Sequence, residues 1–188
     1  MAEAYFSNQK FQSVNTLDPG EYEDCVFTDC QLSGTDLSGL VFDQCSWVRC
    51  DLSTATIKGT AFRDNSFESC KLMGLHFEDV NSFSLSFSFK DCLLQYASFF
   101  QLKIPATEFL ECHLEEANME EADLRRAVFQ GCNLTNTGFD YANLEDADFR
   151  TAYHFRIHPD KCKLQGARFA SNNLEGLLTH YKIKVEKS

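Results

Sequence analysis

Residues 20–52 read GEYEDCVFTDCQLSGTDLSGLVFDQCSWVRCDL, and a large apolar residue stands at every fifth position from Tyr22 onward. The residue two places before it is usually small or Cys. A period of five is neither the period of about 3.6 of an α-helix nor the period of about 2 of a plain strand. Two inward residues in every five predict a chain that turns a corner in each such repeat. The large positions are Tyr22, Phe27, Leu32, Leu37, Phe42, Trp47, Leu52, Ile57, Phe62, Phe67, Leu72 and Phe77.

Cysteine spacing sets the length of a full coil. Cys30, Cys50 and Cys70 stand at i, i+20 and i+40, and a second set with the same spacing comprises Cys92, Cys112 and Cys132. Four repeats, each with one corner, therefore close one square coil. Cys92 follows Cys70 at i+22 instead of i+20, which predicts a two-residue insertion within one coil near residues 78–88.

The period of one coil sorts the large side chains into columns. One face carries only aromatic residues, and the next face carries only leucine. Like residues that stack at the strand spacing of about 4.8 Å predict a continuous core in a four-sided parallel β-helix. The aromatic column comprises Phe27, Trp47, Phe67, Phe89, Phe109, Phe129, Phe149 and Phe169, and the leucine column comprises Leu32, Leu52, Leu72, Leu94, Leu114 and Leu134.

Three stretches carry a family resemblance. They are CQLSGTDLSGLVF at residues 30–42, EEADLRRAVF at 120–129 and YANLEDADF at 141–149. Each resembles the A(D/N)LxX unit of pentapeptide-repeat proteins, and the pattern covers about residues 20–169. The resemblance implies an all-β fold, the right-handed quadrilateral parallel β-helix of that family.

The ends of the chain depart from the repeat. Residues 1–19 are predicted to form an N-terminal cap, residues 20–170 the repeats, with an irregular coil near 150–163, and residues 171–188 a C-terminal helix and tail. Leu174, Leu177, Leu178 and Tyr181 follow at i, i+3, i+4 and i+7, which predicts a short capping helix with Asn172 or Asn173 as its N-cap.

The C-terminal segment has more apolar residues than one cap requires. We expect a homodimer contact, and a cap without dimerisation is the alternative. Such an end resembles the dimerisation end of the Qnr and MfpA group, whose members, with the related McbG, protect bacterial DNA gyrase from inhibitors. The candidate dimer contact comprises Leu177, Leu178, Tyr181, Ile183 and Val185.

Cysteine and histidine could indicate a metal site or catalysis, but their spacing favours packing. The cysteines in register occupy the small inward position, and no CxxC pair occurs. His154 and His158 have a zinc-like spacing, yet Pro159 makes a continuing helix unfavourable, so a surface turn is expected. No nucleophile motif or phosphate-binding loop is present. We predict no catalytic residue, no metal site and no cofactor.

Charge limits the partners. The chain has 17 Lys and Arg against 28 Asp and Glu, a net charge of −11, which argues against direct binding of nucleic acid or of an anionic membrane. Acidic residues crowd one part of the repeat region, where a rigid rod would present a fixed negative field. The candidate partner-binding acidic faces comprise Glu108, Glu111, Glu115, Glu116, Glu120, Glu121, Asp123 and Asp140.

These observations favour a binding protein over an enzyme. Residues 1–10 lack the features of a signal peptide, and no apolar run approaches the roughly 20 residues of a membrane span, so a cytoplasmic location is expected. The resemblance implies a DNA mimic that binds DNA gyrase or topoisomerase IV and protects it from inhibitors such as quinolones. The alternative is a scaffold module that binds another protein, since Qnr-like projecting loops are missing from the sequence pattern.

Overall fold

The computed structural model describes residues 4–181 and 183, and it confirms the four-sided parallel β-helix. The strands are β1 (Ala4–Ser7), β2 (Lys10–Gln12), β3 (Gly20–Glu23), β4 (Val26–Thr28), β5 (Val41–Asp43), β6 (Ser46–Val48), β7 (Ala61–Arg63), β8 (Asn65–Glu68), β9 (Phe87–Lys90), β10 (Glu108–Leu110) and β11 (Val128–Gln130). One sheet has the strand order β1-β3-β5-β7, and the second has the order β2-β4-β6-β8-β9-β10-β11.

The other faces are held by single parallel bridges between coils. Gln31 pairs with Asp51, and Asp36 pairs with Thr56, each across one coil. The backbone amide of Leu32 donates to the carbonyl oxygen of Asp51 at 2.7 Å, and similar bonds recur along the solenoid. Each coil is therefore fixed to the next on every side, which gives a stiff rod.

Stacked aromatic rings form the predicted column, and the structure extends it by one member. Successive rings from Phe11 to Phe169 are stacked, with centroids 3.9–5.8 Å apart. The six leucines of the neighbouring column are fully buried. The core thus runs without a break from the first coil to the last.

The first coil begins earlier than the repeat pattern indicates. The segment predicted as an N-terminal cap supplies β1 and β2, which pair with β3 and β4. Phe11 pairs with Phe27, at i and i+16, so the first coil is shorter than the later coils, which close at i+20. This shift of phase explains why the regular period does not reveal it.

The predicted two-residue insertion is confirmed. Ala61 pairs with Asn81, at i and i+20, whereas Asn65 pairs with Phe87, at i and i+22. The extra length therefore lies between Asn81 and Phe87, just after a 3-10 helix over Phe77–Asp79. The insertion places Phe83 on the surface, with 73% of the residue exposed.

The C-terminal cap is helical, but it consists of two short 3-10 helices, Leu174–Leu177 and Thr179–Tyr181, rather than one amphipathic helix. The carbonyl oxygen of Gly176 accepts from the amide of Ile157 at 3.1 Å and is therefore used by the last coil. Asn173 precedes the first helix without capping it, and its Nδ2 donates instead to the carbonyl oxygens of Phe149 and Ala152. In the described part of the chain no helix is both long and apolar enough to span a membrane.

Candidate partner-binding surface

The acidic side chains are displayed by the corners of the coils. Glu111, Glu116 and Glu121 stand at three successive corners of one coil, with φ values of 54°, 60° and 58°. Positive φ is uncommon for residues other than glycine, yet it recurs at the corners of this solenoid. All three side chains are exposed. The corner geometry therefore projects one carboxylate from each of three edges at the same level of the rod.

Two further glutamates directly precede these corners and differ in exposure. Glu120 is exposed, whereas Glu115 is half-buried between coils. Glu115 Oε1 accepts from Nδ2 of Asn133 at 2.6 Å and lies 3.1 Å from Nδ1 of His113. Its Oε2 is buried and has no hydrogen-bond partner within residues 4–181 and 183. Glu120 consequently contributes more directly to the surface field than Glu115.

Neutral amides from adjacent coils orient two of the corner carboxylates. Gln101 Nε2 donates to Glu121 Oε2 at 2.8 Å, and Asn136 Nδ2 donates to Glu116 Oε1 at 2.8 Å. An amide donor fixes a carboxylate without cancelling its charge. These acids are thus held in position while they remain available to a basic partner.

Two of the predicted acidic residues are neutralised within the chain. Arg125 donates to both carboxylate oxygens of Asp123, at 2.8 and 2.7 Å, and this hydrogen bonding lowers the pKa of Asp123. Lys161 pairs with Asp140, which raises the pKa of Lys161. The members of the predicted set that form no salt bridge among the described residues are Glu108, Glu111, Glu116, Glu120 and Glu121.

Exposed tyrosines flank the acidic corners, and they are not among the site residues predicted from the sequence. Tyr96 is 68% exposed at the corner one coil before Glu116, and Tyr141 is 64% exposed at the corner one coil after Glu121. The period that defined the columns would have placed both residues next to the acids. Tyrosine is among the residues that are enriched in protein interfaces.

The residues of the predicted dimer contact lie on the C-terminal cap. Leu177 and Leu178 are half-buried, and Leu177 packs against the core. The Tyr181 hydroxyl donates to Asp160 at 2.8 Å, and Ile183 is 56% exposed. Val185 lies outside the described residues. The cap therefore presents apolar surface beside residues that hold it in place.

The cysteines pack in the core, as predicted from their spacing. Eight of the nine are buried, and Cys162 is half-buried. Burial raises the pKa of Cys30 to about 11 and that of Cys45 to about 12, so these thiols stay protonated at neutral pH. Among the described residues no group of three or more His, Cys, Asp and Glu could hold a metal ion.

The two histidines with zinc-like spacing have separate partners. His154 occupies a corner with φ of 60°, and its Nδ1 lies 3.2 Å from Thr135 Oγ1. The ring of His158 packs on that of His180, with centroids 4.3 Å apart. The two side chains therefore belong to different local contacts.

Family models and solved structures support the repeat architecture. A model described as pentapeptide repeats matches residues 30–67, and one described as a pentapeptide repeat region matches residues 103–178. No curated protein matches the sequence at a significant level.

Among solved structures, two trypsin-treated forms of QnrB1 match with TM-scores of 0.70 and 0.64. QnrB1 is a plasmid-mediated fluoroquinolone resistance protein. Their identities to this chain are 18% and 19%, and each alignment covers 98% of this chain, with 92% and 98% of the respective QnrB1 chains. At these identities the likeness establishes a common fold. HetL, a protein involved in heterocyst differentiation regulation from the cyanobacterium Nostoc sp. strain PCC 7120, also matches, with a TM-score of 0.49 and 15% identity over 88% of this chain and 82% of that chain.

Proposed function

Because this chain belongs to the pentapeptide-repeat proteins, we propose that it is a non-enzymatic, cytoplasmic binding protein whose partner is DNA gyrase or topoisomerase IV. It acts as a DNA mimic that occupies the DNA-binding surface of the enzyme and thereby protects it from inhibitors such as quinolones. The observation that carries this proposal is the fixed display of glutamates at successive corners of one coil.

Rigidity makes this display effective. A flexible acidic segment must lose conformational entropy when it binds, whereas the corners here are already fixed by bonds between coils. A basic groove that normally binds DNA phosphates would meet carboxylates whose positions do not change. Tyr96 and Tyr141 add aromatic contact area at the edges of the acidic surface.

The shared fold with QnrB1 supports this proposal. That protein is described as a fluoroquinolone resistance protein, and it has the same solenoid over nearly the full length of this chain. Proteins with the same fold can have many different functions, so the proposal rests on the acidic corners.

One observation favours a scaffold that binds another protein. Asp123 and Asp140 are paired with Arg125 and Lys161, which weakens the negative field on the faces next to the glutamates. Duplex DNA carries about one charge per 1.7 Å, more than the net charge of −11 supplies over a rod of this length. A partner with few basic residues would tolerate such a surface better than a DNA groove would.

We propose in addition that two copies associate through the C-terminal cap. The contact comprises Leu177, Leu178, Tyr181, Ile183 and Val185, and the exposure of Tyr181 and Ile183 supports it. Dimerisation would double the length of the acidic rod and place two acidic surfaces on one particle.

The test is a gyrase supercoiling assay in the presence of a quinolone, with increasing amounts of this protein. A variant with the exposed Glu111, Glu116, Glu120 and Glu121 changed to Gln is compared with wild type. Gln is a suitable replacement because Gln101 already occupies the corner equivalent to Glu121. We expect wild type to restore supercoiling and the variant to lose this effect.

The matched control removes the same number of charges elsewhere, by Glu21→Gln, Asp24→Asn, Asp64→Asn and Asp79→Asn. These four residues are exposed and form no salt bridge among the described residues. Protection by the control but not by the first variant would assign the contact to the acidic corners. Failure of wild type either to protect or to inhibit gyrase would refute the topoisomerase proposal and favour the scaffold.

A further inference from the structure

A cleft of about 610 Å³ lies between the last irregular coil and the C-terminal cap. The coil contributes one wall, and the segment that enters the cap contributes the other. The two walls meet at Gly176, where a Cβ atom would lie only 2.4 Å from the carbonyl oxygen of Phe155. The residues that line the cleft include Tyr153, His154, Arg156, Asn173, Glu175 and Thr179.

The cleft contains the cationic side chain of Arg156, although the protein as a whole has a net charge of −11. Within residues 4–181 and 183, no carboxylate oxygen lies within 4.0 Å of the Arg156 guanidinium. Arg156 also lines a smaller adjoining cleft of about 280 Å³, together with Glu175 and Thr179. The other arginines at this end of the rod, Arg150 and Arg168, are both paired with Asp148. In the part of the chain that the structure describes, Arg156 is therefore available to bind an anion.

The rest of the cleft lining favours an anion that carries a flat apolar group such as an aromatic ring. The lining is more apolar than polar, and Tyr153 is 41% exposed with its ring 5.1 Å from that of His154 in an edge-to-face arrangement. Such a ring can pack against another aromatic ring. Small-molecule sites commonly combine apolar walls with a few polar groups that fix the orientation of the ligand.

Asn173 lines the cleft and connects the cap to the last regular coil. Its Nδ2 is occupied by two backbone carbonyl oxygens, at 3.3 and 3.1 Å. Its Oδ1 is buried and has no donor among the described residues. Asn173 therefore fixes the cleft wall through its Nδ2 bonds, and its enclosed Oδ1 lies out of reach of a ligand.

We propose that this cleft binds a small aromatic carboxylate. The carboxylate pairs with Arg156, and the ring packs beside Tyr153. The site is separate from the acidic corners, so it does not depend on the proposed topoisomerase function.

The test is a titration of the full-length protein with 4-hydroxybenzoate, followed by amide chemical shifts in NMR spectra. We expect saturable shifts confined to residues around the cleft. Arg156→Gln should weaken binding by about tenfold or more, because a charge-assisted pair is lost. Arg150→Gln removes an equal charge on the same end of the rod and should leave the affinity unchanged.

A comparison of ligands keeps the test independent of any variant. The neutral 4-hydroxybenzamide should bind wild type at least about tenfold more weakly than the carboxylate does. Equal binding of the acid and the amide, equal affinity of Arg156→Gln and wild type, or shifts that do not saturate would each overturn the proposal.

Discussion

Truncation of one ring in the aromatic column is the sharpest test of the fold. Phe109 is fully buried and is stacked between Phe89 and Phe129, with centroids 5.2 and 5.1 Å away and interplanar angles of 12° and 2°. It also meets Phe99 edge-to-face at 5.8 Å. Phe109→Ala therefore removes three aromatic contacts and leaves a cavity that coils fixed on both sides cannot close.

The expected cost lies near the middle of the range of about 3 to 5 kcal/mol for a buried Phe changed to Ala. A loss of about 4 kcal/mol lowers Tm by about 8 to 16 °C in a chain of this size. Thermal unfolding followed by circular dichroism measures the shift, with Phe83→Ala as the control at an exposed site. The column assignment is refuted if Tm of Phe109→Ala stays as close to that of wild type as Tm of the control.

Two other predictions concern the thiols and the cap. Because burial raises the pKa of Cys30 to about 11 and of Cys45 to about 12, the folded state favours their protonated form. Their contribution is fully present below the unfolded pKa of about 8.5 and is lost as the pH rises through the folded values, so Tm should fall above about pH 9. A Tm that is flat or rises from about pH 9 to about pH 11 would contradict this. Deletion of residues 177–188 should give a monomer, or aggregates if the last coil is left uncovered, when measured by light scattering; a well-behaved dimer after deletion would place the interface elsewhere.

Much of the fold could be predicted because register and period are properties of the sequence itself. The aromatic column was complete from Phe27 to Phe169, and the two-residue insertion lay where the cysteine spacing placed it. The first coil could not be found this way, because Phe27 follows Phe11 at i+16 and Phe11 is therefore out of phase with the 20-residue period of the later coils.

Polar side chains show where prediction from spacing ends. Asn65 stands at an inward position and looks like a weak member of the repeat. In the structure it accepts from Trp47 Nε1 at 3.0 Å and donates to the carbonyl oxygens of Phe42 and Arg63, so it is fully used. Such partners depend on side-chain conformations and not on period.

The same limit applies to the candidate site. The period placed Glu115, Glu116, Glu120 and Glu121 near one another, but it could not show which acids remain unpaired. The pairing of Asp140 with Lys161 joins positions i and i+21, and it depends on the conformation of a long lysine side chain. The burial of Glu115 between coils likewise follows from its contacts with His113 and Asn133.

The corner that recurs in every repeat also determines how such a protein can change by insertion and deletion. Loss or gain of one whole coil would move every later side chain along the rod without rotating it. Loss or gain of a single repeat would keep the apolar pattern of the core but rotate all later surface residues by a quarter turn, so that Glu116 would occupy the edge that now carries Glu111 or Glu121. A change by one repeat therefore relocates a binding surface around the rod, but it also creates one junction in the core at which aromatic rings stack on leucines.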